Sequence, residues 1–259
     1  MKSELNITII QSHLHWEDKQ ANLIMFEEKI NSISDPTHIV VLPEMFTTGF
    51  SMNPKLLAEN MTGQTFQWMR RIAMEKKIIL TGSFMAEENG KYFNRMVWMQ
   101  PNGQFGIYDK RHLFSYANED EHFSAGQKRL ITTVNGWRIC PLICYDLRFP
   151  VWARQSNMDE YDILLYVANW PERRSTAWNT LLKARAIENQ AYVIGVNRIG
   201  NDGNQIHYIG DSQLISPLGD ILFQSNEESI QTLTLHNKEI ESVRTQFSFL
   251  KDKDDFVIL

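Results

Sequence analysis

The sequence predicts a single α/β domain, and three observations lead to that prediction. The chain has 259 residues, a length that suits one large α/β unit. Short β-branched runs alternate with longer segments whose apolar residues recur at helical spacing, which is typical of βαβ units. These segments follow one another without a linker rich in Pro, Gly and Ser. We therefore predict one domain over residues 1–259.

The first half of the chain predicts four strands and two helices. The strands are expected at residues 7–10, 38–45, 77–85 and 91–100, and the helices at residues 17–33 and 63–77. The segment HIVVLPEM at 38–45 is apolar without alternation, which indicates a parallel strand covered on both faces. Thr65 suits the N-cap of the second helix.

The second half repeats this alternation without a clear sequence repeat. Strands are expected at residues 136–144, 162–169 and 191–197, and helices at residues 149–157 and 175–190. Further strands around a turn at 217–219 and over 229–235 complete the sheet. Hairpins this late in the chain predict a mixed sheet rather than a purely parallel one.

Composition and charge exclude several classes of protein. Hydrophobic residues make up 43% of the chain and charged residues 22%, as in soluble globular proteins, so disorder and fibrous repeats are not expected. The net charge of −5 argues against a nucleic-acid partner, which would need clustered Lys and Arg. No apolar run approaches the roughly 20 residues of a membrane helix, and Glu4 interrupts what would be a signal-peptide core. With two Cys in all, we expect a reduced, cytoplasmic protein without a membrane partner.

Glu44 is the first candidate functional residue. It follows the apolar strand in the segment VVLPEMF, where the strand gives way to a loop. Ligand sites of α/β sheets lie at such strand ends. The alternative is a carboxylate that merely turns outward to water.

Lys110 is the second candidate, in the segment DKRHLF just beyond a predicted hairpin. A lysine beside partly desolvated carboxylates can donate to a developing oxyanion. A charged triplet is otherwise typical of a solvated turn.

Cys144 is the third candidate. It closes an apolar strand and precedes a predicted helix, where backbone N–H groups and the helix dipole favour the thiolate. The alternative is an inert core thiol, which is how we interpret Cys140. Four residues along a strand hold the two sulfurs too far apart for a disulfide.

Other classes of site lack their motifs. The chain has no G-x-S-x-G elbow, no G-x-G-x-x-G dinucleotide loop and no Walker-type phosphate loop. His13 and His15 lack a Cys or acidic ligand at zinc spacing. No metal or organic cofactor is indicated. A Cys–His pair with His112 or His207 stays open, although nothing local supports it.

Glu44, Lys110 and Cys144, each in its flanking sequence, together resemble the Glu–Lys–Cys triad of the nitrilase superfamily of carbon–nitrogen hydrolases. The signatures are LPEMFTTGF, YDKRHLF and LICYDLRFP, at residues 42–50, 108–114 and 142–150. The stretches 166–200 and 210–222 are similar to that family as well, so the match covers nearly the whole chain in order. The sequences YDKRHLF and Asn-Trp-Pro look most like those of bacterial omega-amidases. The resemblance implies a four-layer αββα sandwich with two mixed β-sheets, and a homodimer formed through the helical layers.

The resemblance also implies a mechanism for amide hydrolysis. Glu44 takes the proton of Cys144, whose sulfur attacks the amide carbon, while Lys110 and the backbone N–H of Tyr145 hold the oxyanion. Glu44 then protonates the departing ammonia and activates water against the thioester. Many family members carry a second Glu after the Lys; Glu119 is favoured here over Glu121 by its spacing, with a solvated acidic loop as the alternative.

Omega-amidases, according to the resemblance, act on small dicarboxylate monoamides such as 2-oxoglutaramate and 2-oxosuccinamate. A substrate carboxylate calls for an Arg fork. Arg148 is the nearest candidate in sequence, unless it pairs with Asp146 as scaffold. Trp170 and Phe46 are expected to wall the pocket. The remaining Arg candidates are Arg173, Arg174 and Arg185, the last of which better suits a structural ion pair.

Competing functions stay open at this point. Within hydrolases the alternatives are a nitrilase, an aliphatic amidase or an N-carbamoyl hydrolase. A non-catalytic binding module would keep the fold, but the full Glu–Lys–Cys set weighs against it. A thiol-redox protein is disfavoured because Cys140 and Cys144 lack Cys-x-x-Cys spacing.

Overall fold

Two six-stranded sheets form the centre of the protein. The computed structural model describes residues 4–157 and 159–257. The first sheet is built from strands of the first half of the chain plus the last strand, and the second sheet from strands of the second half. The sequence predicted the alternation that produces them.

The elements of the first half supply most of the first sheet and the helices that cover it. The strands are β1 (Leu5–Gln11), β2 (Ile39–Val41), β3 (Ile79–Glu88), β4 (Lys91–Met99) and β5 (Phe105–Asp109). The helices are α1 (Lys19–Asn31), α2 (Pro54–Leu57), α3 (Gln64–Lys76) and the short α4 (Glu119–His122).

The second half of the chain supplies the second sheet, a separate hairpin and the last strand of the first sheet. The strands are β6 (Thr132–Val134), β7 (Trp137–Ile143), β8 (Ile163–Val167), β9 (Tyr192–Val196), β10 (Ile199–Asn201), β11 (His207–Ile209), β12 (Ser212–Ile215), β13 (Ile221–Ser225) and β14 (Ser229–Leu235). The helices are α5 (Pro150–Ala153), α6 (Ser175–Asn189) and α7 (Asn237–Gln246). Strands β10 and β11 form a separate two-stranded hairpin.

Both large sheets are mixed, as predicted. The first has the order β14-β1-β2-β3-β4-β5, with β1, β2 and β3 parallel and the other pairs antiparallel. The second has the order β13-β12-β9-β8-β7-β6, with β7, β8 and β9 parallel. Of the parallel strands, β2 lies in the apolar segment 38–45, which the sequence predicts to be covered on both faces.

The layers stack as helix, sheet, sheet, helix. Strands β1 and β4 of the first sheet face β9 and β7 of the second across one hydrophobic cluster, which includes Leu5, Ile9 and Ile139. A second cluster packs α1 and α3 against the first sheet, and α6 covers the second sheet. This arrangement confirms the predicted αββα sandwich.

Local capping explains where two helices begin and end. The Asp18 side chain accepts a hydrogen bond from the Ala21 N–H at 3.0 Å and so caps the start of α1. Helix α3 ends where Lys77 adopts the left-handed conformation, with φ of +57°. The predicted Thr65 N-cap is wrong, because Gly63 holds that position and the Thr65 hydroxyl bonds Glu59 instead.

Two predicted elements are shorter in the structure. Strand β2 stops at Val41, so Glu44 lies in a loop three residues beyond it. The helix expected over 149–157 is confined to α5, because Arg154 is already extended. None of the described helices is long and apolar enough to cross a membrane.

Candidate active site

Glu44, Lys110 and Cys144 converge on one site although they follow different strands. Glu44 follows β2 and Lys110 follows β5, both in the first sheet, whereas Cys144 follows β7 in the second. All three side chains are buried. The site therefore lies at the junction of the two sheets, at the strand ends where the sequence predicted it.

Glu44 is fixed by hydrogen bonds to both carboxylate oxygens. Its Oε1 accepts from Lys110 Nζ at 2.9 Å and from Asn94 Nδ2 at 2.8 Å. Its Oε2 accepts from the backbone N–H of Asn169 at 2.8 Å. The Asn169 amide also donates to the Glu44 carbonyl at 2.6 Å, so the carboxylate has one orientation. This carboxylate does not turn outward to water.

Glu119, rather than Glu121, contacts Lys110. The Lys110 Nζ lies 3.0 Å from Glu119 Oε1 and 2.8 Å from Glu119 Oε2. The Phe114 N–H donates to Glu119 Oε2 at 2.6 Å, which ties the carboxylate to its own loop. Glu121 is exposed. The structure thus brings together a buried ammonium and two buried carboxylates.

The electrostatics of this cluster keep Lys110 charged. Burial lowers the pKa of Lys110, but the carboxylates of Glu119 and Glu44 more than offset burial and raise it above its usual value. Burial raises the pKa of Glu119, opposed by Lys110 and reinforced by Glu44. Lys110 can therefore donate to negative charge that develops nearby, as an oxyanion partner must.

The surroundings of Cys144 favour its neutral thiol form. Burial raises its pKa well above the usual range, and the charge of Glu44 and a hydrogen bond to it raise it further, while Lys110 lowers it. The expectation that a helix N-terminus favours the thiolate is wrong, because residues 144–148 form a single 3-10 turn. A reaction that uses this sulfur as a nucleophile therefore needs a proton acceptor.

The backbone of Cys144 is held in an unusual conformation. Its φ of +43° lies in the left-handed region, which a residue with a Cβ adopts at a cost of about 1–2 kcal/mol. The Sγ atom lies 4.0 Å from the Asn169 carbonyl oxygen. The sharp turn presents the thiol at the end of β7, beside the same Asn169 that fixes Glu44.

A cavity of about 220 Å³ opens onto this cluster, and Cys144 and Lys110 both line it. This volume is below the roughly 300–1,000 Å³ of drug-sized pockets, so it suits a small substrate. The other lining residues are Phe50, Phe114, Tyr116, Ala117, Tyr145, Arg148, Asn169, Trp170, Pro171, Arg173, Arg174, Ile206 and Tyr208.

Of the predicted lining residues, Tyr145, Arg148 and Trp170 face the cavity but Phe46 does not. Phe46 is fully buried in the core, where its ring packs edge-on against Phe26. That prediction is wrong because the chain turns after Glu44 and directs Phe46 beneath the first sheet. Phe50 faces the cavity instead.

Two arginines stand over aromatic walls of the cavity without an acidic partner. The Arg148 guanidinium lies 5.0 Å from the Trp170 ring centre, and that of Arg174 lies 4.9 Å from the Phe114 ring centre. Among the described residues, no carboxylate forms an ion pair with either. Burial lowers the pKa of Arg174, as expected of an uncompensated cation.

The other predicted arginines divide between cavity and scaffold. Arg173 is an exposed residue of the cavity rim. Arg185 donates to Glu188 at 3.0 Å and to the Leu147 carbonyl at 2.7 Å, which is the structural role expected of it. Arg148 is not held by Asp146, whose carboxylate bonds other groups.

Several site residues were missed by sequence reasoning. Asn94 lies within β4, and its one signal is an amide among apolar strand residues. Asn169 lies two residues after β8, and its position beside Trp170 carries no sign of a contact with Glu44. Ile206 and Tyr208, which border the cavity from the β10–β11 hairpin, carried no recognisable signal.

The histidines are engaged elsewhere. His112 Nδ1 lies 2.8 Å from Asp146, and His207 Nδ1 lies 2.8 Å from Asn201. The hydrogen bonds of Cys144 in the described residues therefore involve neither imidazole. Within the described residues, no group of three or more His, Cys, Asp or Glu side chains is arranged to hold a metal ion.

Known proteins are similar to this chain over nearly its whole length. The carbon–nitrogen hydrolase family matches residues 6–245. Omega-amidase YafV of Yersinia enterocolitica is 44% identical over 261 residues, which cover 99% of this chain and 100% of that protein. The 2-oxoglutaramate amidase of Bacillus subtilis (strain 168) is 31% identical over 250 residues, with 95% and 96% coverage. These matches confirm the predicted resemblance.

A solved structure agrees as well. A CN-hydrolase superfamily protein from Xanthomonas campestris, determined with an arsenic adduct in its active site, superposes with a TM-score of 0.96. It is 40% identical, and the match covers 99% of this chain and 100% of that chain. The αββα arrangement is thus shared over the full length of both chains.

Proposed function

The chain belongs to the carbon–nitrogen hydrolase family, and within that family we propose that it is an omega-amidase. It would cleave the terminal amide of small dicarboxylate monoamides such as 2-oxoglutaramate and 2-oxosuccinamate to the acid and ammonia. The observation that carries the proposal is a buried thiol beside a Glu–Lys–Glu cluster, in a cavity that also holds two arginines without acidic partners. The names of the relatives above support the same activity.

The proposed reaction begins with the neutral thiol of Cys144. Glu44 accepts its proton as the sulfur attacks the amide carbon, and the carbonyl oxygen becomes an oxyanion. Lys110, which stays protonated, donates to that oxyanion together with the backbone N–H of Tyr145. Glu119 holds Lys110 in place from the other side.

The second half of the reaction releases both products. Glu44 returns the proton to the leaving nitrogen, the C–N bond breaks, and ammonia departs from the thioester of Cys144. A water molecule then gives a proton to Glu44 and attacks the thioester. As the C–S bond breaks, Glu44 returns that proton to the sulfur, which yields the acid and restores the thiol. One carboxylate thus serves as base and then as acid in each half of the reaction.

The arginines account for the substrate class. A dicarboxylate monoamide carries a carboxylate opposite its amide, and guanidinium groups bind carboxylates through paired hydrogen bonds. Arg148 and Arg174 offer free guanidiniums on the cavity wall, and Trp170 and Phe114 hold them by stacking. A neutral amide would leave both cations without a counter-charge.

Release of ammonia from a panel of substrates tests the proposal. The panel includes 2-oxoglutaramate, 2-oxosuccinamate, propionamide, a short aliphatic nitrile and an N-carbamoyl amino acid. We expect turnover of the first two at a kcat/KM at least about tenfold above that for propionamide. Preferred turnover of the nitrile, the carbamoyl compound or the neutral amide would place the protein in another branch of the family.

The assembly and location complete the proposal. The chain forms one hydrolase domain, supported by a hydrophobic cluster that both sheets share. A homodimer would use the face on which the apolar residues Val151, Ile187 and Leu218 are exposed. Sedimentation of the wild type and of Ile187→Glu tests whether that face is an interface, and we expect the variant to be monomeric.

A cytoplasmic location suits a thiol nucleophile, which must stay reduced.

A further inference from the structure

We infer that Asp146 is a positioning residue that holds the Cys144 turn and the Lys110 loop in one fixed relation. The residue lies two positions after the proposed nucleophile, yet it does not line the cavity. The inference rests on the proposed thiol mechanism, since it concerns how two of its groups are aligned. It assigns no contact between Asp146 and substrate.

The Asp146 carboxylate is fully buried and accepts four hydrogen bonds from two segments. Its Oδ2 accepts from the Tyr108 hydroxyl at 2.6 Å and from the Ile143 N–H at 3.0 Å. Its Oδ1 accepts from the His112 N–H at 3.0 Å and from His112 Nδ1 at 2.8 Å. Tyr108 and His112 flank Lys110 in sequence, and Ile143 precedes Cys144. One carboxylate therefore joins both segments.

The donors of this network are themselves fixed. The Tyr108 hydroxyl accepts from Trp152 Nε1 at 2.8 Å, and burial together with Asp146 raises the pKa of Tyr108, so its proton stays available for Asp146. The His112 ring stacks on Phe149 with centres 3.8 Å apart. Each side chain that bonds Asp146 thus has a second contact that sets its orientation.

The strained backbone of Cys144 needs hydrogen bonds of this kind to keep its conformation. A residue with a Cβ persists at φ of +43° when the surrounding structure over-determines it, and the bond from Ile143 to Asp146 closes this turn. A displacement of about 1 Å between reacting groups can cost about 100-fold in rate. No Lys or Arg among the described residues forms an ion pair with Asp146. Its carboxylate is therefore engaged by the hydrogen bonds from the two segments.

The variant Asp146→Asn tests the inference. The amide keeps the size of the side chain but presents an NH₂ group to donors that now need an acceptor. We expect kcat to fall by about 100-fold with KM within about threefold. We also expect slower alkylation of Cys144 by iodoacetamide, followed by intact mass spectrometry with Cys144→Ala as the unlabelled baseline.

Asp162→Asn is the matched control. Asp162 is also a buried carboxylate, and it accepts from the Arg138 N–H at 2.9 Å and from Arg244 at 3.0 Å, away from the cavity. We expect it to lower the melting temperature while it leaves kcat and alkylation near the wild type. Wild-type kcat and alkylation in Asp146→Asn, or an equal loss of both in Asp162→Asn, would overturn the inference.

Tyr108→Phe keeps the inference testable if Asp146→Asn does not fold. It removes one of the four donors and retains the ring, so we expect about a tenfold fall in kcat and a parallel fall in alkylation rate. Unchanged values for both would overturn the inference. A wild type that releases no ammonia from any amide would instead overturn the proposed function, and the alkylation rates would still decide the role of Asp146.

Discussion

At the scale of single residues, Cys140 and Cys144 are both buried thiols, but they differ in location and in neighbours. Cys140 lies inside β7, and burial raises its pKa to about 12 with no catalytic neighbour beside it. Cys144 lines the cavity, where the charge of Glu44 adds to burial in raising its pKa. Location, rather than thiol character, therefore distinguishes the proposed nucleophile.

Replacement of each cysteine checks this distinction. We expect Cys144→Ala to abolish ammonia release, because no other thiol reaches the cavity among the described residues. Cys140→Ala should keep most of the activity, since that side chain serves packing alone. Initial rates and melting curves of both variants provide the comparison, and equal rates would contradict the assignment.

We expect Arg148 and Arg174 to select amides that carry a carboxylate. Arg148→Leu and Arg174→Leu each remove a guanidinium that has no protein counter-charge. A hydrogen bond to a charged group contributes about 1.5–3 kcal/mol, so we expect kcat/KM for 2-oxoglutaramate to fall by about 10- to 150-fold in each variant. The value for propionamide should change far less.

Arg138→Leu is the control for this series, because Arg138 is part-exposed and pairs with Glu160 at 3.6 Å, outside the cavity. Equal losses on the acidic and the neutral amide would show that Arg148 or Arg174 supports the structure and not the substrate.

The sequence predicted the proposed reactive residues better than the side chains that contact them. Glu44, Lys110 and Cys144 each lie in a short segment of characteristic sequence, so each was predicted from its sequence neighbours. Asn94 and Asn169, which hold Glu44, lie 50 and 125 positions from it, and contacts at that separation leave no local pattern. Phe46 was misplaced because its burial depends on the turn after Glu44 and not on residue type.

At the scale of elements, the β10–β11 hairpin forms one wall of the cavity. It supplies Ile206 and Tyr208 to the lining but belongs to neither large sheet. Asp202 closes its loop, where one oxygen accepts from the Asn204 and Ile206 N–H groups and the other from the Tyr208 hydroxyl. A single side chain thus shapes the part of the hairpin that faces the cavity.

Asp202→Ala removes the carboxylate that accepts these three hydrogen bonds. Its donors lose their acceptor, so the loop loosens while the two large sheets keep their pairing. We expect KM to rise by about tenfold with a small change in melting temperature, and faster amide hydrogen exchange over residues 201–209. A melting temperature that falls steeply with KM unchanged would mean that Asp202 serves global stability instead.

Elements with a strong period were predicted well, and short ones were not. The apolar stripe over 63–77 corresponds to α3, because a helix of more than three turns repeats its pattern several times. Strands β10 and β11 have three residues each, too few for any period. The helix expected over 149–157 ended early because Gln155 bonds Asn189, so tertiary contacts overrode local preference.

At the scale of the whole molecule, the buried acids make the protein sensitive to alkali. Folding raises the pKa of several groups that ionise above neutral pH: Tyr108, Lys110, Cys140, Cys144, Tyr161 and Tyr166. The unfolded chain loses these protons from about pH 9 upward, where model thiols ionise, while the folded chain keeps them. Stability is therefore fully present below about pH 9 and decreases as pH rises further.

Urea unfolding at pH 8, 9, 10 and 11 measures this loss. We expect the free energy of unfolding to fall by about 1.4 kcal/mol per pH unit for each such group within its window. For Cys140 the window runs from pH 9 to about 12. Cys140→Ala should show a shallower slope by about one group, and an identical slope would contradict this account of the thiol.

The proposed base and the proposed nucleophile belong to different sheets. Glu44 and Lys110 follow strands of the first sheet, Cys144 follows a strand of the second, and the first sheet is complete once the late strand β14 pairs with β1. A nascent chain that has folded one half carries either a proton acceptor without its sulfur or a sulfur without its proton acceptor. The proposed active site therefore forms only when the two sheets are docked, so ammonia release would report that docking.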